Sequence, residues 1–297
     1  MIYSLPHEHL RRPVKPAVVP ITETLHLISN PDILSDGQID DYMGQVHSYV
    51  VDHNRRYPGS MYDRGEKELK RLLREGQGIT LLRGERVVYF GAMLPRFPDE
   101  MQSAMGNQVV ELVNSIVPPE FQGSGYAKIG NALRMDVIMR TWGPDTLAFF
   151  TTENRVTAGA WDKLNKTHNA EDWHMQAVPW AEYPYLAGLT CNYSAKGMSP
   201  DHECALKRRC RPNSTPDAFN QMVDPDSGLS NRMECTLMVS SLANANAFQD
   251  RARRMHEQFG GQPVIVPANE ELTNEHVLEV DRFYATLMSE LYGKKPN

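Results

Sequence analysis

The residues with the clearest chemical potential form a short turn, Gln122-Gly123-Ser124-Gly125-Tyr126-Ala127, between an apolar strand and an apolar helix. The first N–H groups of a helix lack intrahelical acceptors, and the helix dipole is positive at that end. The two glycines remove side chains that would block a ligand, and either can take positive φ. Such a turn suits a phosphate group. Because many strand-to-helix turns use glycine only for packing, the turn alone leaves both interpretations open.

Two other phosphate-binding motifs do not fit this turn. The Walker loop requires a Gly-Lys-Ser/Thr ending, and the dinucleotide fingerprint requires three glycines in a different rhythm. Neither pattern occurs in the sequence.

The turn lies within a predicted alternation of strands and helices. The strand before it, 109–117, has an alternation that would place Glu111, Val113, Ser115 and Val117 on one face. The helix after it begins at Tyr126 and has an apolar spacing of helical period. The other elements predicted up to residue 164 are two helices (35–57, 63–75), a hairpin (78–83, 86–94), a strand (146–151) and a helix (155–164).

The rest of the chain predicts four segments. Residues 1–20, with four prolines, are an N-terminal arm, and residues 21–194 form the core, with one or two strands in 172–192. Residues 195–232, again with four prolines and no periodicity, are an irregular linker or insertion. Residues 233–297 are a C-terminal βαβα segment, with strands at 234–240 and 262–266, each followed by a helix.

Composition excludes several classes of protein. The formal net charge of −6 argues against nucleic acid as a partner, and no apolar run reaches the roughly 20 residues of a membrane helix. The N-terminus lacks the pattern of a secretory signal, so a cytoplasmic location is expected. The four cysteines are then free thiols. Cys191, Cys204, Cys210 and His202 raise the question of zinc, but no close Cys-x2-Cys pair is present, and we predict no metal site.

The segment Val117-Pro-Pro-Glu-Phe-Gln-Gly-Ser-Gly-Tyr-Ala127 resembles the acyl-CoA signature of the GNAT N-acyltransferases, Gln/Arg-x-x-Gly-x-Gly/Ala. Gln122, Gly125 and Ala127 fit the signature. The resemblance covers residues 17–192, in which the predicted elements follow the family order. It implies an α+β (α/β) fold with a mixed, centrally splayed sheet flanked by helices, to which the βαβα segment is an extension.

The resemblance also implies how acetyl-CoA or another acyl-CoA is held. The amides of residues 122–127 would bind the pyrophosphate, and strand residues Ile116 and Val117 would pair with pantetheine. Asn154 matches the asparagine of the family's Asn-x-x-Ala-x-x-x-Tyr-x-x-x-Gly segment and would contact the pantetheine arm. Trp161 replaces the tyrosine; its indole can pack against the cofactor but cannot act as a general acid. Asn165 replaces the last glycine.

The chemistry expected from the resemblance is direct attack of a neutral amine on the thioester, which needs a base and an acid. Glu111 matches a strand glutamate that acts as the base in some members, although an ion-paired strand carboxylate is the alternative. Glu120 is a weaker candidate. Substitutes for the missing tyrosine acid are Tyr126, His174, Tyr183 and Tyr185, each of which could instead be a packed residue.

The prediction is therefore an N-acyltransferase, most simply an N-acetyltransferase, acting on an amine of a small molecule or peptide. The alternatives are a non-catalytic acyl-CoA-binding or regulatory module, which Trp161 makes credible, and an interaction protein that uses the core as a scaffold. Nucleic acid and membrane partners are not expected, and a homodimer is left open. The basic run 207–211 and the His7-Glu8-His9 triplet are read as exposed chain, with a cofactor phosphate as the alternative for the former.

Overall fold

The computed structural model describes residues 2–4, 25–28, 34–56, 61, 63–97, 102, 104–167, 173–190, 232–266, 272 and 274–292. The chain divides into two compact units. The first consists of Met1–Leu94, Leu112–Pro144 and Val156–Trp173. The second consists of Pro95–Glu111, Asp145–Arg155 and His174–Asn297.

Four antiparallel strands begin the sheet of the first unit, and β5 (Val109–Ile116) follows them in the strand order. They are β1 (Ile2–Ser4), β2 (Leu25–Ile28), β3 (Gly78–Arg83) and β4 (Arg86–Pro95), paired in that order. The hairpin of β3 and β4 is confirmed, with Gly84 at φ 61° in its turn. The short strands β1 and β2 were missed, and β1 lies within the segment predicted as an arm. Three or four residues are too few for a periodic signal.

Two amphipathic helices pack in the core of the first unit. They are α1 (Asp36–Arg56) and α2 (Gly65–Arg74), as predicted. Gly76, at φ 68°, ends α2: its N–H donates to the carbonyl of Leu73, and the N–H of Gln77 donates to that of Leu72. This pattern is a Schellman motif, which satisfies the last carbonyls of the helix. The core that these helices share with β3 and β4 includes Met43, Val46, Leu69, Leu72, Leu73 and Phe90.

The predicted strand, turn and helix around the glycines are confirmed. Strand β5 (Val109–Ile116) enters the first unit at Leu112 and is followed by a 3-10 turn, Pro119–Phe121. Helix α3 (Tyr126–Trp142) then begins, and α4 (Arg155–Thr167) follows later in the chain. Strict alternation along β5 was wrong, because Asn114 takes a left-handed conformation with φ 51°. Glu111 and Leu112, adjacent in sequence, are both buried.

The second unit contains a mixed sheet. The beginning of β5 pairs in parallel with β6 (Leu147–Asn154), from Val109 with Leu147 to Glu111 with Phe149. Strand β8 (Arg232–Val239) lies antiparallel to both β6 and β7 (Gln176–Val178). The parallel pairing of β5 covers three residues of an eight-residue strand, and the strand then continues into the first unit.

Three helices cover this sheet. They are α5 (Pro184–Thr190), α6 (Leu242–Gln258) and α7 (Asn274–Tyr292). Ser241 caps α6, because its side chain accepts a hydrogen bond from the N–H of Asn244 at 3.2 Å. Their buried side chains join those of β6 and β8 in one core, which includes Phe149, Leu186, Leu237, Phe248, Phe283 and Leu287.

The α+β fold class with a mixed sheet is confirmed, and the elements α1 to α4 occur in the order implied by the resemblance. One detail of the later chain was wrong, since residues 262–266 are irregular rather than a strand. The expectation of one or two strands in 172–192 is met by one short strand, which a 3-10 turn and α5 follow. In the described residues, β8, α6 and α7 share a core with β6. The boundary at 232/233 stays a prediction.

The proposed boundaries at 20/21 and 194/195 lie outside the described residues and stay predictions. No described helix has the length and apolarity needed to cross a membrane.

Candidate functional site

The turn before α3 leaves adjacent backbone amides unused. The N–H of Gln122 donates to Pro119 O at 3.2 Å and that of Ser124 to Phe121 O at 3.3 Å, while Lys128 and Ile129 both donate to Gly125 O. No side chain of a described residue caps the helix. In the part of the chain that the structure describes, no protein acceptor bonds the N–H groups of Gly123, Gly125, Tyr126 and Ala127. Four donors therefore remain for a ligand.

Both glycines of the turn have left-handed backbone conformations. Gly123 has φ 77°, and Gly125, the N-cap of α3, has φ 84° and ψ 0°. A non-glycine residue in either place would be strained. A Cβ added at Gly123 would meet no atom of the described residues within 4 Å. In that part of the chain, no close packing contact requires a glycine here.

The side chains around the turn include an ion pair and a lysine that adds positive charge beside the turn. Glu120 forms an ion pair with Arg86, whose guanidinium lies 5.1 Å from the Phe121 ring centroid. The glutamate is thus held as a turn residue. Partial burial, and then the neighbouring positive charge of Lys163, lower the pKa of Lys128 in the first turn of α3. A bound anion would relieve that repulsion.

The residues predicted to pair with pantetheine lie at the end of β5. Ile116 is buried in the core of the first unit, so only its backbone could meet a ligand. Val117 is half-buried and directly follows the strand. Before them, Asn114 accepts a hydrogen bond on Oδ1 from Arg64 Nε at 2.6 Å. The sequence pattern gave no sign of this irregularity, although asparagine is among the few residues that tolerate positive φ.

Glu111, the predicted base, belongs to the second unit. Its carboxylate is buried and forms an ion pair with Arg96, a residue of the same unit whose side chain is also largely buried. A guanidinium in contact stabilises the deprotonated carboxylate. The residue proposed as the base is therefore held in a buried ion pair.

Asn154 and Trp161 occupy different surroundings. Asn154 ends β6, and its side chain lies outside the described residues, so its contact with pantetheine stays a prediction. The Trp161 indole is 1% exposed and packs edge-on against Trp173, with ring centroids 6.2 Å apart. Burial of this degree favours a packing role. Its contact with a cofactor also stays a prediction.

The proposed substitutes for the tyrosine acid are mostly engaged. The hydroxyl of Tyr183 donates to Asn246 Oδ1 at 2.7 Å, and that of Tyr185 lies 3.0 Å from His256 Nδ1. Burial raises the pKa of Tyr183 and raises that of Tyr185 to about 12. Tyr126 is buried against Phe121. His174, by contrast, is exposed.

Other predicted features cannot be placed. Cys191, Cys204, Cys210, His202, the basic run 207–211 and the His7-Glu8-His9 triplet lie outside the described residues. Among the residues that are described, no cluster of three or more His, Cys, Asp or Glu could hold a metal ion.

Comparisons with known proteins give distant structural matches. No protein-family model matches this chain, and neither does any curated protein. A putative arylalkylamine N-acetyltransferase 7 from the mosquito Aedes aegypti is 11% identical over 73% of this chain and 87% of its own, with a TM-score of 0.38. A GCN5-related N-acetyltransferase from Kribbella flavida is 12% identical over 58% of this chain, with a TM-score of 0.33, and the match spans 40% of its own length.

A third solved structure is a ribosomal-protein-alanine N-acetyltransferase from Brucella melitensis biovar Abortus 2308. It is 14% identical over 52% of this chain and 96% of its own, with a TM-score of 0.31. All three are described as N-acetyltransferases. Likeness at this level carries no argument by itself, so the fold rests on the elements and pairings given above.

Proposed function

We propose that this protein is an N-acyltransferase that binds acyl-CoA through the turn before α3 and transfers the acyl group to an amine. One observation carries the proposal: among the described residues, no acceptor bonds four backbone amides, of Gly123, Gly125, Tyr126 and Ala127, at a helix start with left-handed glycines. Amides grouped in this way, with the positive end of a helix dipole, suit a pyrophosphate.

The signature residues and the charge near them support acyl-CoA as the ligand. The turn carries Gln122, Gly125 and Ala127 in the spacing of the acyl-CoA signature. Lys128 has no carboxylate partner among the described residues, so it adds a positive charge that an anionic ligand can use. The backbone of Ile116 and Val117 is the part proposed to pair with the pantetheine arm.

The proposed reaction is direct attack. A neutral amine adds to the thioester carbonyl, the amine loses a proton, and the thiolate leaves and is protonated, giving an amide and CoA. Glu111 is the residue proposed to accept the amine proton. Acetyl-CoA is the simplest acyl donor. Small-molecule and peptide amines are the proposed acceptors.

The first experiment is isothermal titration of the purified protein with CoA and acetyl-CoA. The proposal expects saturable one-site binding that weakens as salt rises, because phosphate contacts are electrostatic. Absence of heat and of any shift in melting temperature at millimolar CoA would remove the basis of the proposal.

A matched pair of glycine variants locates the binding at the turn. Gly123→Ala and Gly84→Ala both place a methyl group at positive φ with no atom within 4 Å. Each variant therefore bears a similar backbone strain of about 1 kcal/mol. Only Gly123→Ala adds a group beside the free amides, so its Kd for CoA should rise about tenfold or more, a loss of about 1.4 kcal/mol. Equal affinities in the two variants would place the ligand elsewhere.

A non-catalytic acyl-CoA-binding module is the second candidate, because Trp161 stands where the acid tyrosine is expected and is buried. Release of free thiol from acetyl-CoA across a panel of amines separates the two functions. Tight binding of CoA without amine-dependent thiol release would favour the module.

A further inference from the structure

We infer that Arg134 of α3 is a positioning residue for residues 113–115 of β5, the segment that contains the left-handed Asn114. It holds this segment in the conformation needed for the proposed ligand. The inference rests on the proposed function for the identity of that ligand. Arg134 belongs to the same unit as the segment and as the glycine turn. The sequence pattern did not single it out, because an arginine in a helix is read as exposed.

The guanidinium of Arg134 forms hydrogen bonds to two strands, β4 and β5. Its Nη1 donates to the carbonyl of Ala92 in β4 at 3.1 Å and to the carbonyl of Val113 in β5 at 3.0 Å. The side chain is fully buried. An arginine buried in this way is rare unless its donors are used, since removing the charge from water is costly.

The bond to Val113 sets the direction of the following peptide. The peptide between Val113 and Asn114 is trans, so its carbonyl and its N–H point in opposite directions. Because Arg134 draws the carbonyl toward α3, the N–H of Asn114 is turned away from α3. The change in direction coincides with the one non-glycine residue at positive φ in the described chain, Asn114.

A second side chain of α3 extends this contact along β5. Asn131 Oδ1 accepts hydrogen bonds from Arg134 Nη2 at 2.8 Å, from the Ser115 hydroxyl at 3.2 Å and from the Tyr89 hydroxyl at 2.9 Å. The residues immediately before and after Asn114 are thus both fixed to α3. Ile116 and Val117, proposed to pair with pantetheine, follow directly.

The neighbouring backbone makes room for this cluster. A Cβ at Gly91 would lie 2.8 Å from Arg134 Cδ, and one at Gly130 would lie 2.2 Å from the Tyr89 ring. The guanidinium lies 5.9 Å from the centroid of that ring.

Burial lowers the pKa of Arg134, and burial raises that of Tyr89. Arg134 Nε has no partner among the described residues. Burying the guanidinium therefore costs desolvation free energy, which an apolar side chain at this position would avoid.

The test compares Arg134→Met with the wild-type chain by two measurements. Hydrogen exchange of the amides of residues 113–117 should accelerate about tenfold or more in Arg134→Met, relative to the amides of α1, because the charge-assisted bonds are lost. The Kd for CoA should rise about tenfold. Arg134→Lys should recover part of both effects, since an ammonium can bind one carbonyl but lacks the planar fork.

Thr80→Val is the matched control. Thr80 is buried in the same unit, and its hydroxyl has no partner among the described residues, so the change alters a buried polar side chain that makes no hydrogen bond to β5. It should leave both the exchange of residues 113–117 and the Kd for CoA unchanged. Native exchange of residues 113–117 in a folded Arg134→Met would overturn the inference, and so would an unaltered Kd.

The inference and the proposed function fail separately. A wild-type chain that binds no CoA removes the proposed function, while the exchange comparison still decides whether Arg134 fixes the segment. If Arg134→Met does not fold, Ser115→Ala removes one bond of the same cluster. A change of about threefold in exchange is then expected. Identical exchange in Ser115→Ala would count against the inference.

Discussion

At the scale of single residues, Glu111 combines a proposed chemical role with a structural one. Glutamine in its place cannot accept a proton, so Glu111→Gln should lower kcat by about a hundredfold or more while the Kd for CoA stays unchanged. The variant should also lose stability, because it removes the carboxylate that pairs with the largely buried Arg96. Steady-state kinetics well below the melting temperature would measure the first effect, and denaturant unfolding the second.

Arg96→Met is the control for this prediction. It breaks the same ion pair from the other side but keeps the carboxylate. A catalytic Glu111 predicts that Arg96→Met keeps far more turnover than Glu111→Gln at similar stability. If the two variants lose activity in parallel, the glutamate is a structural partner and the base lies elsewhere.

At the scale of secondary-structure elements, the approach of α3 to β4 depends on Gly130. A methyl group there would lie 2.2 Å from the buried Tyr89 ring, so Gly130→Ala should lower the free energy of unfolding by about 1–3 kcal/mol. Gly44→Ala is the matched helical control, since its Cβ would meet no atom within 4 Å. It should raise stability by about 0.5–1 kcal/mol. Urea unfolding of both variants would show the opposite signs, and the same sign in both would contradict this account of the contact.

Element by element, the sequence predicted most of the helices and the glycine turn, but only part of what α3 buries. Its spacing predicted a face of Tyr126, Ile129, Gly130, Leu133 and Val137, of which Tyr126 and Gly130 are buried and the other three half-buried. The buried face also includes Asn131 and Arg134. A hydrophobic pattern cannot reveal polar side chains whose burial depends on partners in β4 and β5. For the same reason it could not place the irregularity at Asn114, which interrupts the alternation of β5.

At the scale of the whole molecule, the free energy of unfolding should decrease in mild acid because of a buried histidine in the second unit. His256 is buried, stacks on Phe283 with ring centroids 4.8 Å apart and lies beside the Tyr185 hydroxyl. Burial lowers the pKa of His256, although the negative charges of Glu279 and Glu257 oppose the shift. As pH falls below the unfolded-state value of 6.5, the unfolded chain takes up the proton first, and stability is lost.

Linkage limits this loss to about 1.4 kcal/mol per pH unit for one histidine. Unfolding free energies at pH 7.5 and 5.5 would measure it. His256→Gln, which keeps a hydrogen-bonding side chain but does not titrate in this range, should show a smaller difference between the two pH values. An undiminished difference would assign the acid sensitivity to other groups.

The arrangement of the later chain was beyond prediction from the sequence. Strand β8 lies between β6 and β7, and such an order depends on contacts far apart in the chain. In residues 262–266 the β-branched side chains suggested a strand, and their alternation is real: Val264 is buried and Ile265 is 72% exposed. Proline at 263 removes a donor that a strand would need. The alternation of a buried and an exposed side chain thus arises here without pairing to a neighbouring strand.

Gly91 and Gly130, which leave space for Tyr89 and Arg134, limit how the sequence can change in evolution. With no Cβ at 91 and 130, the large side chains at 89 and 134 occupy the space that ordinary residues would fill. A related chain that acquires a side chain at either glycine must therefore shrink its neighbour at 89 or 134. Across a future set of homologues, these four positions should change together, as a correlated group separate from the signature of the turn.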